Sequence, residues 1–289
     1  MKRLAVSSLL SVLIVVAPAA QNRPAPIRNG FIETTDRVRI HYLEAGRGPA
    51  LLFIPGFTGA AEFWEPQMRV FSISHRVIAM DPRSQGDSEK TYDGNFTERR
   101  AQDIRDVINR LDLAPVVIVA WSRAVWETSS YLQQSGSGAL RGVVLIDGPV
   151  AQTPGPQALA NLAAEAKALQ EDRRGYTAKQ APGMFKRAHP EEFYRRIISA
   201  NLKTPTAVAV ALLADAVQFD YRAGLRKLGR PLMFASQGEA PSAQAKVVLT
   251  EVPTARIEVF PGSGHALFLD DPERFNRVLA DFIGTLPKN

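Results

Sequence analysis

The stretch that decides the fold is residues 116–127, which reads Val-Val-Ile-Val-Ala-Trp-Ser-Arg-Ala-Val-Trp-Glu. Its first six residues are all apolar, which predicts a strand buried on both faces, as in a parallel sheet covered by helices. The residues from Ser122 onward predict a helix. Ser122 would therefore stand at a strand-to-helix turn, where helix amides and the helix dipole favour a developing negative charge. Serine is also a favoured helix N-cap, so this stretch alone leaves both a nucleophile and a cap open.

Similar apolar runs recur on both sides of this stretch and alternate with helix-like segments. A hairpin is predicted from residues 31–34 and 38–42, and further strands are predicted at residues 50–55, 76–80, 143–147, 232–235 and 257–260. We expect Thr97 to cap a helix after the 76–80 strand and Asp271 to cap the last helix, because Thr and Asp side chains accept hydrogen bonds from helix amides. This alternation predicts an α/β fold with a doubly wound, mostly parallel sheet.

The region between residues 147 and 232 breaks this rhythm, because no strand is predicted there. It contains three helix-like segments, at residues 158–170, 193–200 and 207–217. A connection of this length is too long for a simple loop between a strand and a helix. We therefore predict a helical cap at residues 150–218, inserted into a core made of residues 27–149 and 219–289.

Four short motifs, each behind its own predicted strand, carry a resemblance to the α/β-hydrolase family. They are Ile-Pro-Gly-Phe-Thr-Gly at 54–59, Asp-Pro-Arg-Ser-Gln-Gly-Asp-Ser at 81–88, Ala-Trp-Ser-Arg-Ala at 120–124 and Gly-His-Ala at 264–266. In that order they look like the family's oxyanion loop, its D-x-R-G-x-G-x-S turn, its nucleophile elbow and its catalytic-histidine loop. The chain departs from the family pattern at the elbow, where alanines replace both glycines, and at Pro55 and Ser84, where histidine and glycine are frequent.

This resemblance, which covers nearly the whole chain after residue 20, implies roles for individual residues. Ser122 would attack a carbonyl carbon, and His265 would take the serine proton and return it to the leaving group. The backbone amides of Phe57 and Arg123 would hold the oxyanion. Such a site hydrolyses carboxylic esters or lactones through an acyl-enzyme, with a small molecule as its substrate and no cofactor.

Two residues compete for the acid that orients His265. The family's usual position is the loop after the strand at 232–235, where Glu239 is the sole acid and stands one place earlier than the family pattern. The other position is the end of the preceding strand. Asp147 ends the run at 143–147, and a carboxylate there can face the crevice beyond the carboxyl edge of the sheet, although Asp-Gly-Pro is also good turn chemistry. We predict Asp147, with Glu239 as the alternative.

Other activities of similar chains stay open at this point. Epoxide hydrolases and haloalkane dehalogenases have aspartate at the elbow, so Ser122 argues against both. Non-haem haloperoxidases, which act as perhydrolases, and C–C bond hydrolases keep the serine triad. A non-catalytic protein that binds a small ligand is a further alternative. The Arg123 side chain either pairs with Glu127 one turn along the helix or points into the pocket, and we favour the pairing.

The composition limits the remaining classes of function. Lys and Arg number 35 against 29 Asp and Glu, a formal charge of +6, but no basic block is present, so nucleic acid is not a predicted partner. The chain has no cysteine, which excludes disulfides and thiolate metal sites. No His, Asp or Glu cluster has the spacing of metal ligands, and we expect His41, His75 and His189 to be structural or solvated. Nothing in the sequence indicates an oligomeric state.

The first 20 residues have the pattern of an export signal. Lys2 and Arg3 precede an apolar run at residues 9–16 and a small-residue segment at 17–20, Ala-Pro-Ala-Ala. An apolar run this short cannot cross a bilayer, which needs about 20 residues. We therefore predict a cleaved signal peptide at residues 1–20, a periplasmic or secreted protein, and no stable membrane anchor.

Overall fold

A computed structural model describes residues 23–152, 155–217 and 219–287 of the chain. The predicted signal peptide at residues 1–20 lies outside these residues. Cleavage and export therefore remain predictions. Among the described residues, no single helix is long and apolar enough to cross a membrane. The helices Glu191–Leu202 and Thr206–Asp215 meet this requirement of length and hydropathy only when they are counted as one segment, and the chain bends by 82° between them.

Eight of the ten strands in the described part of the chain form one sheet, in the order β1-β2-β4-β3-β5-β6-β9-β10. The strands are β1 (Arg28–Glu33), β2 (Arg39–Ala45), β3 (Ala50–Ile54), β4 (Arg76–Met80), β5 (Val116–Trp121), β6 (Leu140–Ile146), β7 (Ala151–Gln152), β8 (Phe219–Asp220), β9 (Leu232–Gln237) and β10 (Arg256–Phe260). The β1–β2 and β2–β4 pairs are antiparallel, and the other pairs of the large sheet are parallel. The predicted α/β fold with a mostly parallel sheet is confirmed.

The alternation of side chains along β5 explains why the sheet is covered on both faces. Val117 and Val119 belong to the apolar cluster on one face, together with residues of the first and last helices of the chain. Ile118 and Ala120 belong to the cluster on the other face. All four side chains are buried, so β5 lies at the centre of the molecule. Because β3 and β6 flank it, the carboxyl ends of these three strands meet at one edge.

Eleven α-helices and two 3-10 helices connect the strands of the described chain. The helices are α1 (Glu65–Phe71), α2 (Thr97–Arg110), α3 (Ala124–Ser135), α4 (Pro156–Glu171), α5 (Arg173–Gln180), α6 (Glu191–Leu202), α7 (Thr206–Asp215), α8 (Arg222–Arg226), α9 (Ala243–Glu251), α10 (Leu267–Asp270) and α11 (Pro272–Thr285), with 3-10 turns at Ala61–Trp64 and Ala181–Met184. The predicted cap of the last helix is confirmed, because the Asp271 side chain accepts a hydrogen bond from the Arg274 amide.

The predicted cap of α2 is wrong. Thr97 is the first residue of the helix rather than its N-cap, and no side chain of the preceding residue caps it. Instead, the Thr97 amide and hydroxyl donate to Asp215 Oδ2 at 3.0 and 2.6 Å. Asp215 ends α7, so a carboxylate from a distant segment supplies the acceptor that a local side chain usually supplies.

The segment between β6 and β9 contains the predicted helices and one element that was not predicted. Helices α4, α6 and α7 correspond to the three helix-like runs, and α5 lies between α4 and α6. The expectation of no strand between residues 147 and 232 is wrong, because β7 and β8 form a short antiparallel ladder. This ladder joins the chain just before α4 to the chain just after α7, near the predicted boundaries at 150 and 218. The division into core and cap remains a prediction.

Candidate active site

Ser122 lies in a sharp turn between β5 and α3. Its φ is +56°, a left-handed conformation that is strained for a residue with a side chain, and its amide donates to the Ile146 carbonyl at 2.8 Å. Two glycines permit the turn. A Cβ added at Gly56 would lie 2.7 Å from Ser122 Cβ, and one added at Gly148 would lie 2.2 Å from the Ser122 carbonyl oxygen. The closest approaches therefore come from neighbouring loops, and the elbow itself accommodates alanine at 120 and 124.

His265 bridges Ser122 and Asp147. Its Nε2 lies 2.8 Å from Ser122 Oγ, and its Nδ1 lies 2.7 Å from Asp147 Oδ2. These distances fit a ring that donates from Nδ1 to the carboxylate and accepts the serine hydroxyl at Nε2. The Trp121 indole N–H donates to the His265 carbonyl at 2.9 Å. The residue before the serine thus holds the backbone of the histidine.

The structure brings Asp147, and not Glu239, to the histidine. The Asp147 amide donates to the Ala235 carbonyl at 2.8 Å, and a φ of +45° turns the chain sharply at the end of β6. Gln237 on β9 donates to the carboxylate from its side-chain Nε2 at 3.1 Å and from its backbone amide at 3.4 Å. Glu239 lies further along the same loop and is exposed.

The predicted oxyanion amides belong to Phe57, which follows the Gly56 that packs against Ser122, and to Arg123, the residue after the serine. Among residues 23–152, 155–217 and 219–287, neither the Phe57 N–H nor the Arg123 N–H donates a hydrogen bond to a protein group. Two hydrogen bonds fix the loop that carries Phe57. Gln85 Nε2 donates to the Gly56 and Gly59 carbonyls at 3.0 and 2.7 Å. Two unengaged amide donors, one on the residue after the serine and one on a loop packed against it, are suited to binding an oxyanion.

The Arg123 side chain turns away from the serine and is buried. Its Nε donates to Glu127 at 3.2 Å, which is the predicted pairing. Its Nη1 donates to the Leu212 carbonyl of α7 at 2.8 Å, and its Nη2 pairs with Asp215. Glu127 also accepts from Arg100, which is buried in its turn. Arg123 therefore ties the elbow to α7 and does not point into a substrate pocket.

Arg100 extends this buried network to the oxyanion loop. Its Nη1 donates to Gln85 Oε1 at 2.7 Å and to Glu127 Oε1 at 3.1 Å. Because Gln85 holds the oxyanion loop and Glu127 holds Arg123, one set of hydrogen bonds connects both sides of the serine. Sequence reasoning did not single out Gln85 or Arg100, since their partners lie far away in the chain.

Asp270, which sequence reasoning also missed, fixes the loop that carries His265. Its carboxylate accepts from the amides of Gly264 at 2.7 Å, Lys186 at 2.8 Å and Arg187 at 3.1 Å. Burial alone would raise the pKa of Asp270, but these amides and His189 hold it below its usual value. The only local signal was an acid five residues after the histidine, next to the expected helix cap.

The other three histidines have partners outside the triad. His189 contacts Asp270 at 3.1 Å, and His75 contacts the Ser74 hydroxyl at 2.9 Å. His41 contacts Asp81 at 2.7 Å, and these two residues come within metal-binding reach of Asp87, a grouping that sequence spacing did not reveal. Lys203 lies 3.0 Å from Asp87, so an ammonium already supplies positive charge at this cluster.

Comparisons with known proteins agree with this architecture. A sequence model described as the alpha/beta hydrolase family matches residues 51–278. A non-heme chloroperoxidase from Kitasatospora aureofaciens is 26% identical over 86% of this chain and 98% of its own length. A 2-(acetamidomethylene)succinate hydrolase from Mesorhizobium japonicum is 25% identical over 86% of this chain and 92% of its own.

Solved structures give the same fold. An esterase from Exiguobacterium antarcticum superimposes with a TM-score of 0.82 at 23% identity, covering 88% of this chain and 99% of the esterase. A bromoperoxidase from Bacillus anthracis superimposes with a TM-score of 0.83 at 18% identity, covering 89% of this chain and 100% of the bromoperoxidase.

Proposed function

Because the chain belongs to the alpha/beta hydrolase family, we propose that it hydrolyses carboxylic esters through an acyl-enzyme on Ser122. The observation that carries the proposal is the continuous contact from Ser122 Oγ through His265 to Asp147, at 2.8 and 2.7 Å. A serine hydroxyl becomes a nucleophile when an adjacent base can accept its proton and a third group orients that base. The similar solved structures include several esterases.

The reaction begins when Ser122 Oγ attacks the carbonyl carbon of the ester and His265 Nε2 takes the serine proton. The carbonyl oxygen becomes negative and is bound by the amides of Phe57 and Arg123. Collapse of this intermediate breaks the bond to the alcohol, which leaves with the proton from His265. Water then attacks the acyl-enzyme by the same route and releases the acid and Ser122.

Asp147 orients the histidine throughout this cycle. Its carboxylate keeps the Nδ1 proton of His265 in place and stabilises the imidazolium that forms when the serine is deprotonated. The two hydrogen bonds from Gln237 to the same carboxylate hold it in one rotamer. Asp270 acts on the loop rather than on the ring, because its partners include the Gly264 amide.

Turnover of a short-chain p-nitrophenyl ester by purified protein tests the proposal. Ser122→Ala should lower kcat by about 10,000-fold or more, because the remaining oxyanion donors supply only part of the rate enhancement. His265→Ala should lose a similar amount, and the double variant should be little worse than either single one. Circular dichroism spectra matching the wild type would show that the variants fold. Substantial hydrolysis by Ser122→Ala would exclude the serine mechanism.

A second candidate activity is perhydrolysis, which is favoured by the similarity to a non-heme chloroperoxidase over most of both chains. Hydrogen peroxide would replace water as the attacking group, so the bond between Ser122 Oγ and the acyl carbon breaks and a peracid leaves. Peracid release in the presence of an ester and peroxide, lost in Ser122→Ala, would support this activity. Normal ester hydrolysis with no peracid under the same conditions would exclude it.

A further inference from the structure

A cavity of about 200 Å³ lies beside the oxyanion loop, between that loop and the helices α4 and α5. The residues that matter for its chemistry are Phe57, Glu165, Arg173, Tyr176 and Met184. Two of them connect it to the site already described. Phe57 carries one of the two proposed oxyanion amides, and the Met184 carbonyl accepts the amide of Ala266, the residue after His265, at 3.1 Å.

The loop that carries His265 packs directly on Met184, which lines the cavity. A Cβ added at Gly264 would lie 2.5 Å from the Met184 carbonyl oxygen, so the backbones of the two segments touch. The oxyanion loop packs on Ser122 in the same way, because a Cβ added at Gly56, the residue before Phe57, would lie 2.7 Å from Ser122 Cβ. The cavity is therefore bounded by residues that adjoin the segments of both the nucleophile and the base.

Arg173 is the dominant charge of the cavity. It starts α5, and its guanidinium donates to the Thr177 hydroxyl and to the Asn201 carbonyl, the latter at 3.0 Å. Within the described residues it forms no ion pair with a carboxylate, and its buried Nε has no acceptor. Burial lowers the pKa of Arg173. A half-buried guanidinium without a counter-ion is costly, and a bidentate carboxylate is the partner that fits its geometry.

The cavity also contains two other titratable groups, Glu165 and Tyr176. Burial raises the pKa of Glu165, and Glu165 forms no ion pair with Arg173 among the described residues. Burial and the nearby Glu165 also raise the pKa of Tyr176, so its hydroxyl keeps its proton at neutral pH and can donate a hydrogen bond. The cavity thus offers a guanidinium without an ion-pair partner and the phenolic donor of Tyr176, which together suit an anion.

We propose that this cavity binds a carboxylate of the substrate through Arg173, so that the preferred substrates are esters that also carry a free carboxylate. This inference rests on the proposed ester hydrolysis and names its substrate class. The carboxylate can belong to the acyl part or to the alcohol part of the ester. The two kinds of ester share the group that Arg173 recognises and are separated by the experiment.

The experiment compares each carboxylate ester with a neutral ester of the same shape. Monomethyl glutarate is paired with methyl 5-methylhexanoate, and 4-acetoxybutyrate is paired with 4-methylpentyl acetate. The wild type should show a higher kcat/KM for the charged member of one pair, and that pair identifies the side of the ester that enters the cavity. Arg173→Met should lower this charged-to-neutral ratio by about 10- to 100-fold, which is the typical worth of a charged hydrogen bond. Arg173→Lys should retain an intermediate ratio, because lysine keeps the positive charge but lacks the paired N–H donors of the guanidinium.

Arg174→Met is the matched control, because Arg174 is the exposed next residue of the same helix, and its ratio should equal that of the wild type. Calorimetric titration with glutarate gives a readout that does not need turnover: binding to the wild type should be lost in Arg173→Met. Equal ratios in wild type and Arg173→Met, with neutral esters still hydrolysed, would overturn this inference and leave the proposed function standing. Glutarate binding without hydrolysis of any ester would overturn the proposed function and leave the carboxylate site standing.

Discussion

The strands β6 and β9 are parallel neighbours that end at the same edge of the sheet, yet they contribute different groups to the crevice. Ile146 pairs with Ala235, and β6 ends there, whereas β9 continues to Gln237. After β6 the backbone turns at Asp147, whose carboxylate reaches His265 at 2.7 Å. After β9 the exposed Glu239 follows a glycine with a φ of +104°.

This difference shows that the two strand ends act as a pair. The end of β6 supplies the acid, and the end of β9 supplies the amide donors that hold it. A carboxylate that accepts from three donors is held in a fixed position. The comparison predicts that substitutions at these two strand ends, and at the anchor of the histidine loop, differ strongly in their consequences.

The largest effect is expected for Asp147→Asn. The amide can no longer select the tautomer of His265 that accepts the serine proton, so kcat should fall by about 10,000-fold with the fold retained. Steady-state hydrolysis of a p-nitrophenyl ester measures this loss. Near-normal turnover in Asp147→Asn would mean that the acid at the end of β6 is not the one that orients the histidine.

The next largest effect is expected for Asp270→Asn, which weakens the anchor of the histidine loop. Because the pKa of Asp270 is lowered in the folded protein, its charge stabilises the fold above the unfolded pKa, and this contribution is lost as the pH falls through the folded value. The substitution should lower the free energy of unfolding by about 3 kcal/mol at pH 7. Denaturant unfolding at pH 7 and at acid pH measures it, and the difference between the two proteins should shrink in acid. A constant difference at both pH values would contradict this role.

A smaller effect is expected for Gln237→Leu. The side-chain hydrogen bond to Asp147 is lost while the backbone one stays, so kcat should fall by about 10-fold, the usual cost of one hydrogen bond to a charged group. KM should hardly change, because Gln237 contacts the acid and not the substrate. Gln237→Asn, which keeps an amide, should recover part of the rate. A loss confined to KM, or an equal loss in both variants, would show that Gln237 has another role.

The smallest effect is expected for Glu239→Gln, which is the matched counterpart of Asp147→Asn. The side chain is exposed, so kcat and KM should stay within about two-fold of the wild type, as for most surface substitutions. The same ester assay measures it under identical conditions. Collapse of activity in this variant, with Asp147→Asn active, would reverse the assignment of the acid.

The parts of the molecule that were predictable from the sequence are those governed by local patterns. The strands predicted at 76–80 and 116–121 coincide with β4 and β5, because a strand covered on both faces is apolar at nearly every position. The placement of Ser122 and His265 behind their strands follows from the same pattern, since the carboxyl ends of parallel strands meet at one edge.

The parts that were not predictable depend on partners far apart in the chain. Thr97 has the chemistry of an N-cap, but Asp215 reaches the same helix end from α7 and supplies a better acceptor. The ladder of β7 and β8 has two residues in each strand, which is too few to show an alternation of apolar and polar residues. Arg173 resembles every other arginine in the sequence, and only the described structure shows that it forms no ion pair there.

The most direct test of the account is to find the residue that becomes covalently modified. A fluorophosphonate ester, which traps an activated serine as a stable phosphonyl adduct, would be added to the protein, and the adduct located by peptide mass spectrometry. We predict one adduct per chain, on the peptide that contains Ser122, absent in Ser122→Ala and formed far more slowly in His265→Ala. An adduct on another residue, or labelling of Ser122→Ala at the wild-type rate, would contradict the assignment of Ser122 as the nucleophile.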